Sequence, residues 1–175
     1  YGASAVPSRT GGTNFSYAGA RTGTVPGVTT PPSVPSMVVQ VEQYLASIGY
    51  VASSQTLFVL DGITVGNNIA DALTLAQTNP NAPVAVLTAA VTDMAGMILR
   101  LYSAGARHIV VVNSTNVGRT PRVQSLGAAA VAGATQLSAQ FNGALAQQIA
   151  GLRATSPGLN IYTVDAFALT EQIVA

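Results

Sequence analysis

Residues 101–113 read Leu-Tyr-Ser-Ala-Gly-Ala-Arg-His-Ile-Val-Val-Val-Asn. The first four residues complete a helical pattern that begins at Val84, and Gly105 is a natural end for that helix. His108 to Asn113 is then a short apolar run, which is typical of a strand buried on both faces of a parallel sheet. A helix that leads directly into such a strand indicates an α/β unit.

The same unit recurs on both sides of this stretch. Thr56 to Leu60 is a second apolar run of the buried type, and Leu159 to Val164 is predicted as the third strand. The spacing of apolar residues predicts helices before, between and after these strands. The predicted helices cover Met37 to Ile48, Asn67 to Ala76, Val84 to Ala104, Leu126 to Leu152 and Ala166 to Val174. Strands that alternate with helices predict one α/β domain over residues 1–175, with a parallel sheet and right-handed crossovers.

The first 36 residues are rich in glycine, proline, serine and threonine. Within them, Asn14 to Ala18 is an apolar patch that predicts a short strand. Four prolines between Val25 and Pro35 predict an extended loop, because proline has a fixed φ and no amide hydrogen. Ser33 or Ser36 is the expected cap of the first helix.

The composition excludes several classes of function. Charged residues make up 7% of the chain, the net charge is +1 and all seven cations are arginine, so there is no basic surface for nucleic acid. No disulfide is expected because cysteine is absent, and a single histidine argues against a metal site or a metal cofactor. Polar residues interrupt every long apolar stretch, so no transmembrane helix is expected. The low charge favours a secreted or cell-surface location.

Five titratable residues have simple structural interpretations. His108 is at the amino end of its strand, away from the carboxyl-end rim where functional groups gather, and is expected to be a surface histidine. Asp165 ends the third strand; a catalytic role is open, but a cap of the next helix is favoured. Asp61 is expected in a turn. Asp93 and Glu42 fall on helices and are expected to be solvated.

Several segments together resemble one enzyme family, and they occur in the same order along the chain. The glycine-rich string at 11–23, the strand and turn at 57–68, residues 101–113 and residues 164–169 are all similar to the SGNH/GDSL esterases. Among these esterases, the secreted and autotransporter lipase–esterases are the closest subgroup. The resemblance extends over nearly the whole chain.

The resemblance implies a fold, a reaction and two site residues. The fold is an α/β three-layer sandwich with a parallel, flavodoxin-like sheet of strand order 2-1-3-4-5. The reaction is hydrolysis of a carboxylic ester or lipid by a nucleophilic serine, without a cofactor. By position, Gly19 matches the glycine and Asn67 the asparagine that help to hold the oxyanion; losing such a donor raises the barrier by about 2.7–4 kcal/mol.

The asparagine segment differs from the family pattern. Where the family usually has Gly-x-Asn-Asp, this chain has Val65-Gly66-Asn67-Asn68. Taken singly, Gly19 is a turn glycine and Asn67 a helix cap.

Two blocks of the family pattern are not found in the 175 residues. The serine block is expected before Tyr1, and the Asp-His block after Ala175. The chain alone is therefore expected to be inactive, and its sheet to lack the first strand. Its expected partners are an ester or lipid substrate, the missing segments of the same protein, or a second copy that pairs with an exposed strand edge. The alternative hypothesis is a non-catalytic binding or self-assembly module on the same scaffold.

Overall fold

The structure is a computed structural model that describes residues 6–31 and 33–173. Three parallel strands form its sheet in the order β1-β2-β3. They are β1 (Leu57–Asp61), β2 (His108–Val112) and β3 (Asn160–Val164). The predicted parallel sheet is confirmed, and its three predicted strands lie within one residue of their observed bounds.

Six α-helices flank this sheet within the described residues. They are α1 (Met37–Ser47), α2 (Val65–Ala76), α3 (Ala82–Ser103), α4 (Pro121–Gln124), α5 (Ala128–Thr155) and α6 (Ala166–Ile173). A parallel sheet flanked by helices fits the predicted α/β three-layer class. Pro32 of the predicted extended loop and Val174 of the predicted last helix lie outside the described residues.

The start of α1 depends on both a side chain and a loop. Ser36 Oγ accepts a hydrogen bond from Val39 N at 3.5 Å, so Ser36 rather than Ser33 caps the helix. Two other first-turn amides of the helix, at Met37 and Val38, donate to backbone carbonyls of the preceding loop. Because these first-turn amides have no partner inside the helix, the loop is fixed to the helix end.

The predicted strand over Asn14 to Ala18 is wrong. Asn14 forms only an isolated bridge with Pro7, and no regular strand follows it. Phe15 instead packs edge-on against the ring of Tyr44 in α1, with the centroids 5.5 Å apart. Phe15 of this patch therefore packs against a helix, without joining a sheet.

The core lies between one face of the sheet and the long helices. The inward strand residues are Phe58, Leu60, Ile109, Val111 and Ile161, all of them buried. The predicted apolar stripe of α5 faces this layer, because its members Phe141, Leu145 and Ile149 are buried. Alternation along each strand directs the remaining side chains to the opposite face.

That opposite face, which we call the outer face, is open in the described part of the chain. Its side chains Leu57, Val59, Tyr162 and Val164 are 56%, 61%, 49% and 39% exposed. The prediction of burial on both faces is therefore wrong for β1. A continuous apolar run allows burial on both faces but does not itself supply a covering layer.

The helix α3 is long and apolar enough, by length and composition alone, to cross a membrane. Its most apolar window has a mean hydropathy of 1.7, and 44% of that window is buried in the fold. It packs against α1, α2 and α5. The apolar character of α3 is accounted for by this position in the core.

We predict that Phe141→Ala lowers the free energy of unfolding by about 3–5 kcal/mol, because a fully buried ring leaves a cavity. Leu126→Ala is the control, since Leu126 is 66% exposed just before α5, and its effect is expected within about 0.5 kcal/mol. Urea titration followed by circular dichroism measures both. Equal losses for the two variants would contradict the observed core.

Candidate functional site

Gly19 occupies a turn closed by a hydrogen bond from Ala20 N to Tyr17 O at 3.2 Å. Its φ is +81°, in the left-handed region, and a Cβ built there would meet nothing within 4 Å. Glycine is therefore favoured by the backbone conformation and not by a lack of space. No described residue accepts a hydrogen bond from the exposed Gly19 N–H, so this donor is available to a ligand.

Asn67 lies in the first turn of α2 and is close to the Gly19 turn. Its Nδ2 donates to the carbonyl of Ala20 at 2.8 Å, and Ala20 directly follows Gly19. A side-chain amide carries two hydrogens, so one remains for another acceptor. Asn67 is not the helix cap, because Thr64 precedes the first residue of α2. The structure brings the two predicted residues together, and their binding of an oxyanion stays a prediction.

The adjacent residue Asn68 forms a buried pair with Thr22. Asn68 Oδ1 accepts from Thr22 N at 3.2 Å, and Asn68 Nδ2 donates to Thr22 Oγ1 at 3.2 Å. Thr22 is 0% exposed and Asn68 2%. Since both side chains are removed from water, these bonds are costly to break.

Asp93 extends this network from α3. Thr22 Oγ1 donates to Asp93 Oδ2 at 2.8 Å. The prediction that Asp93 is solvated is wrong: its carboxylate is partly buried against the loop. Burial raises the pKa of Asp93, and the hydrogen bond from Thr22 opposes that rise. A Cβ on Gly23 would lie 2.4 Å from Asp93 Oδ2, so a side chain at residue 23 would displace the Asp93 carboxylate.

An ion pair holds the same segment from another side. The guanidinium of Arg21 binds both carboxylate oxygens of Asp71 in α2, with Nη2 to Oδ1 at 2.9 Å. Both side chains are largely buried. We call Arg21, Thr22, Asn68, Asp71 and Asp93 the polar cluster. The sequence analysis did not predict this cluster. Charged residues are rare in this chain, so the presence of Asp71 and Asp93 on apolar helices was the one indication that these carboxylates have partners.

Asp165 and Asn113 follow β3 and β2 at the carboxyl-end rim. Asn113 Nδ2 donates to Asp165 Oδ1 at 2.9 Å, and the same oxygen accepts from Ala168 N at 3.0 Å. The hydrogen bond from Ala168 N, and then that from Asn113, lowers the pKa of Asp165. The favoured interpretation of Asp165 as a helix cap is confirmed.

The loop after β2 is attached to α6 by a charged group. Arg119 Nη2 donates to Glu171 Oε2 at 2.7 Å, and Asn116 Nδ2 donates to Glu171 Oε1 at 2.7 Å. These hydrogen bonds, that of Arg119 first, lower the pKa of Glu171 to about 2. The loop is thereby held against α6 at neutral pH.

The remaining titratable residues of the sequence analysis, His108, Asp61 and Glu42, each contact another residue of the fold. His108 Nδ1 lies 3.2 Å from the hydroxyl of Tyr162 on the outer face, as far from the rim as β2 allows. Asp61 Oδ1 accepts from Ile63 N at 3.0 Å, which confirms the turn. Glu42 pairs with Arg100 on the surface. Among the described residues there is no group of three metal-ligand side chains.

Two cavities adjoin these loops. One of about 450 Å³ is bordered by Tyr17 and Thr24, on either side of the Gly19 segment, and by the start of α1. A second of about 240 Å³ lies between α5 and β3 and includes Asn113 and Asp165. The first cavity is the larger of the two, and Tyr17 in its wall belongs to the Gly19 turn.

We predict that Gly19→Ala destabilises the protein by about 1 kcal/mol, because alanine is strained at positive φ. The control is Gly143→Ala in α5, where a Cβ also meets nothing within 4 Å but φ is helical. That change is expected to stabilise the protein by about 0.5–1 kcal/mol. Thermal unfolding measures both, and equal shifts would contradict the backbone assignment of Gly19.

We predict that Glu171→Gln weakens the loss of stability in acid. The folded-state pKa of Glu171 is depressed from 4.5 to about 2, so its contribution is present above the unfolded pKa and is lost as pH falls through this window. Urea unfolding from neutral pH down to pH 2 measures the slope. Gln172→Ala on the same helix is the control and should retain the wild-type slope; a wild-type slope for Glu171→Gln would contradict the pairing.

Comparison with known families identifies a family model that matches most of the chain. The model of the family described as GDSL-like Lipase/Acylhydrolase matches residues 3–175, which is nearly the entire chain. A comparison with curated proteins found no match. The resemblance of the sequence motifs to SGNH/GDSL esterases is confirmed, and the chain belongs to the GDSL-like lipase/acylhydrolase family.

Proposed function

We propose that this chain supplies the oxyanion-binding loops of a secreted serine ester hydrolase, with Gly19 and Asn67 as donors. The observation that carries the proposal is the hydrogen bond from Asn67 Nδ2 to the carbonyl of Ala20. It joins the two loops that the family resemblance singles out. Carboxylic esters, including lipids, are the substrate class that goes with family membership.

The donors meet the chemical requirement for an oxyanion site. Such a site needs N–H groups fixed near the position where negative charge develops on the carbonyl oxygen. Gly19 offers a backbone N–H without a partner among the described residues, and Asn67 has a second amide hydrogen. Because the Ala20 bond already orients the Asn67 amide, little reorganisation is needed during the reaction.

The nucleophile and the base are assigned to polypeptide outside these 175 residues. The sequence has one histidine, and His108 Nδ1 faces the Tyr162 hydroxyl at the amino end of β2. No described serine forms a hydrogen bond with it. The incoming serine would attack the ester carbonyl, a histidine would accept the serine proton, and Gly19 and Asn67 would stabilise the resulting charge.

Secretion is part of the proposal. It is supported by the 7% content of charged residues and the absence of lysine, which give an uncharged polar surface. The full-length protein is expected in the culture medium of its source organism, where an antibody against this chain would detect it.

We predict that Asn67→Ala in the full-length protein lowers kcat for p-nitrophenyl butyrate by about 100- to 1,000-fold, because one oxyanion donor is lost. Asn67→Asp should also lower kcat, since a carboxylate cannot donate. Asn81→Ala is the control: Asn81 is an exposed asparagine before α3. Unchanged kcat in Asn67→Ala would contradict the assignment.

We predict that the purified 175-residue chain alone does not hydrolyse p-nitrophenyl esters, because its only histidine pairs with Tyr162. The full-length protein should hydrolyse them and lose that activity on treatment with a serine-directed phosphonate. Turnover by the 175-residue chain that the same phosphonate abolishes would show that the nucleophile lies within it.

A second candidate function is a binding or self-assembly module. The outer face favours it, because Leu57, Val59 and Tyr162 form an exposed apolar surface of the kind found at interaction sites. Sedimentation velocity of the full-length protein distinguishes the two candidates. Concentration-dependent association without ester turnover supports the module, whereas a monomer with turnover supports the hydrolase.

A further inference from the structure

We infer that the polar cluster positions the Gly19 turn for catalysis, with Thr22 and Asn68 as its central positioning residues. This inference rests on the proposed function. The cluster does not provide the donors themselves. It fixes the backbone immediately after Gly19, and so fixes the direction of the Gly19 N–H and the acceptor that orients Asn67.

The backbone of this segment is attached to α1. The carbonyl of Arg21 accepts from Met37 N at 2.9 Å, and that of Thr22 accepts from Val38 N at 3.0 Å. These are first-turn amides of α1, which have no partner within their own helix. Two consecutive carbonyls are therefore fixed at one helix end.

The side chains attach the same residues to two more helices. Arg21 binds Asp71 in α2, and Thr22 binds Asn68 in α2. The Thr22 hydroxyl also donates to Asp93 in α3. Three helices thus hold two adjacent residues, and the turn of Gly19 ends directly before them.

Hydrogen bonds are the interaction that orients this segment. In the next part of the loop, the side chain of Val25 packs in a small apolar cluster with Ala72 and Val86. Apolar packing is not directional, whereas the bonds of Thr22 and Asn68 fix both distance and angle. A displacement of about 1 Å at an active site can lower a rate by about 10²-fold, so directional restraint at this point has a catalytic effect.

Replacement of Thr22 tests the inference in the full-length protein. Thr22→Val keeps the shape but removes the hydroxyl, leaving Asn68 Nδ2 and the Asp93 carboxylate without that partner. We expect kcat for p-nitrophenyl butyrate to fall at least about 10-fold, with KM changed less than about twofold, because donor placement acts in the transition state. Thr22→Ser restores the hydroxyl and should recover most of the kcat.

Val86→Ala is the matched control, because it removes buried apolar contact from the neighbouring cluster without touching a hydrogen bond of Thr22. It should lower stability and keep the wild-type kcat. Hydrogen exchange followed by mass spectrometry gives a second readout: the peptide containing residues 19–22 should exchange faster in Thr22→Val than in Val86→Ala.

The outcomes separate the inference from the proposed function. If Thr22→Val and Val86→Ala lower kcat equally and exchange equally at residues 19–22, the positioning role is overturned. If the wild-type full-length protein turns over no ester, the proposed function fails, and the exchange result still decides whether the hydroxyl of Thr22 holds the Gly19 turn. Loss of kcat in Thr22→Val that Thr22→Ser recovers supports both.

Discussion

Thr22 is a fully buried polar residue, and each of its polar atoms has a hydrogen-bond partner. Its amide binds Asn68, its hydroxyl lies between Asn68 and Asp93, and its carbonyl accepts from Val38. A buried polar group is costly unless it is satisfied, so these partners must keep their positions together. The relative placement of α1, α2 and α3 around the loop depends on this constraint, and so does the approach of Gly19 to Asn67.

The strands and most helices were predictable because their information is local. Continuous apolar runs predicted β1 and β2, the turn at Ser156-Pro157-Gly158 preceded the predicted third strand, and the glycine at 105 marked the end of α3, where φ is +117°. The layers around the sheet were less predictable. The outer face is open although Val59 and Leu57 are apolar, since a strand sequence does not report what covers it. The patch at Asn14 failed as a strand for the same reason: its packing partner, Tyr44, lies elsewhere in the chain.

The two site residues were found only through their resemblance to a family, because each has an ordinary interpretation by itself. Composition and spacing did not predict the polar cluster. Thr22 is 46 residues from Asn68 and 71 from Asp93, and no local pattern connects positions so far apart. Asp93 was expected in solvent because it falls on a helix; its observed partner is a hydroxyl in a distant loop.

The arrangement of Gly19 and Asn67 is most directly tested by a crystal structure of the full-length protein with a phosphonate bound to its nucleophilic serine. The phosphonyl oxygen occupies the position of the oxyanion in such an adduct. The account predicts that this oxygen lies about 2.7–3.1 Å from both Gly19 N and Asn67 Nδ2, with the bond between Asn67 and Ala20 retained. An oxygen bound by other donors, with Gly19 and Asn67 beyond hydrogen-bonding distance, would contradict it.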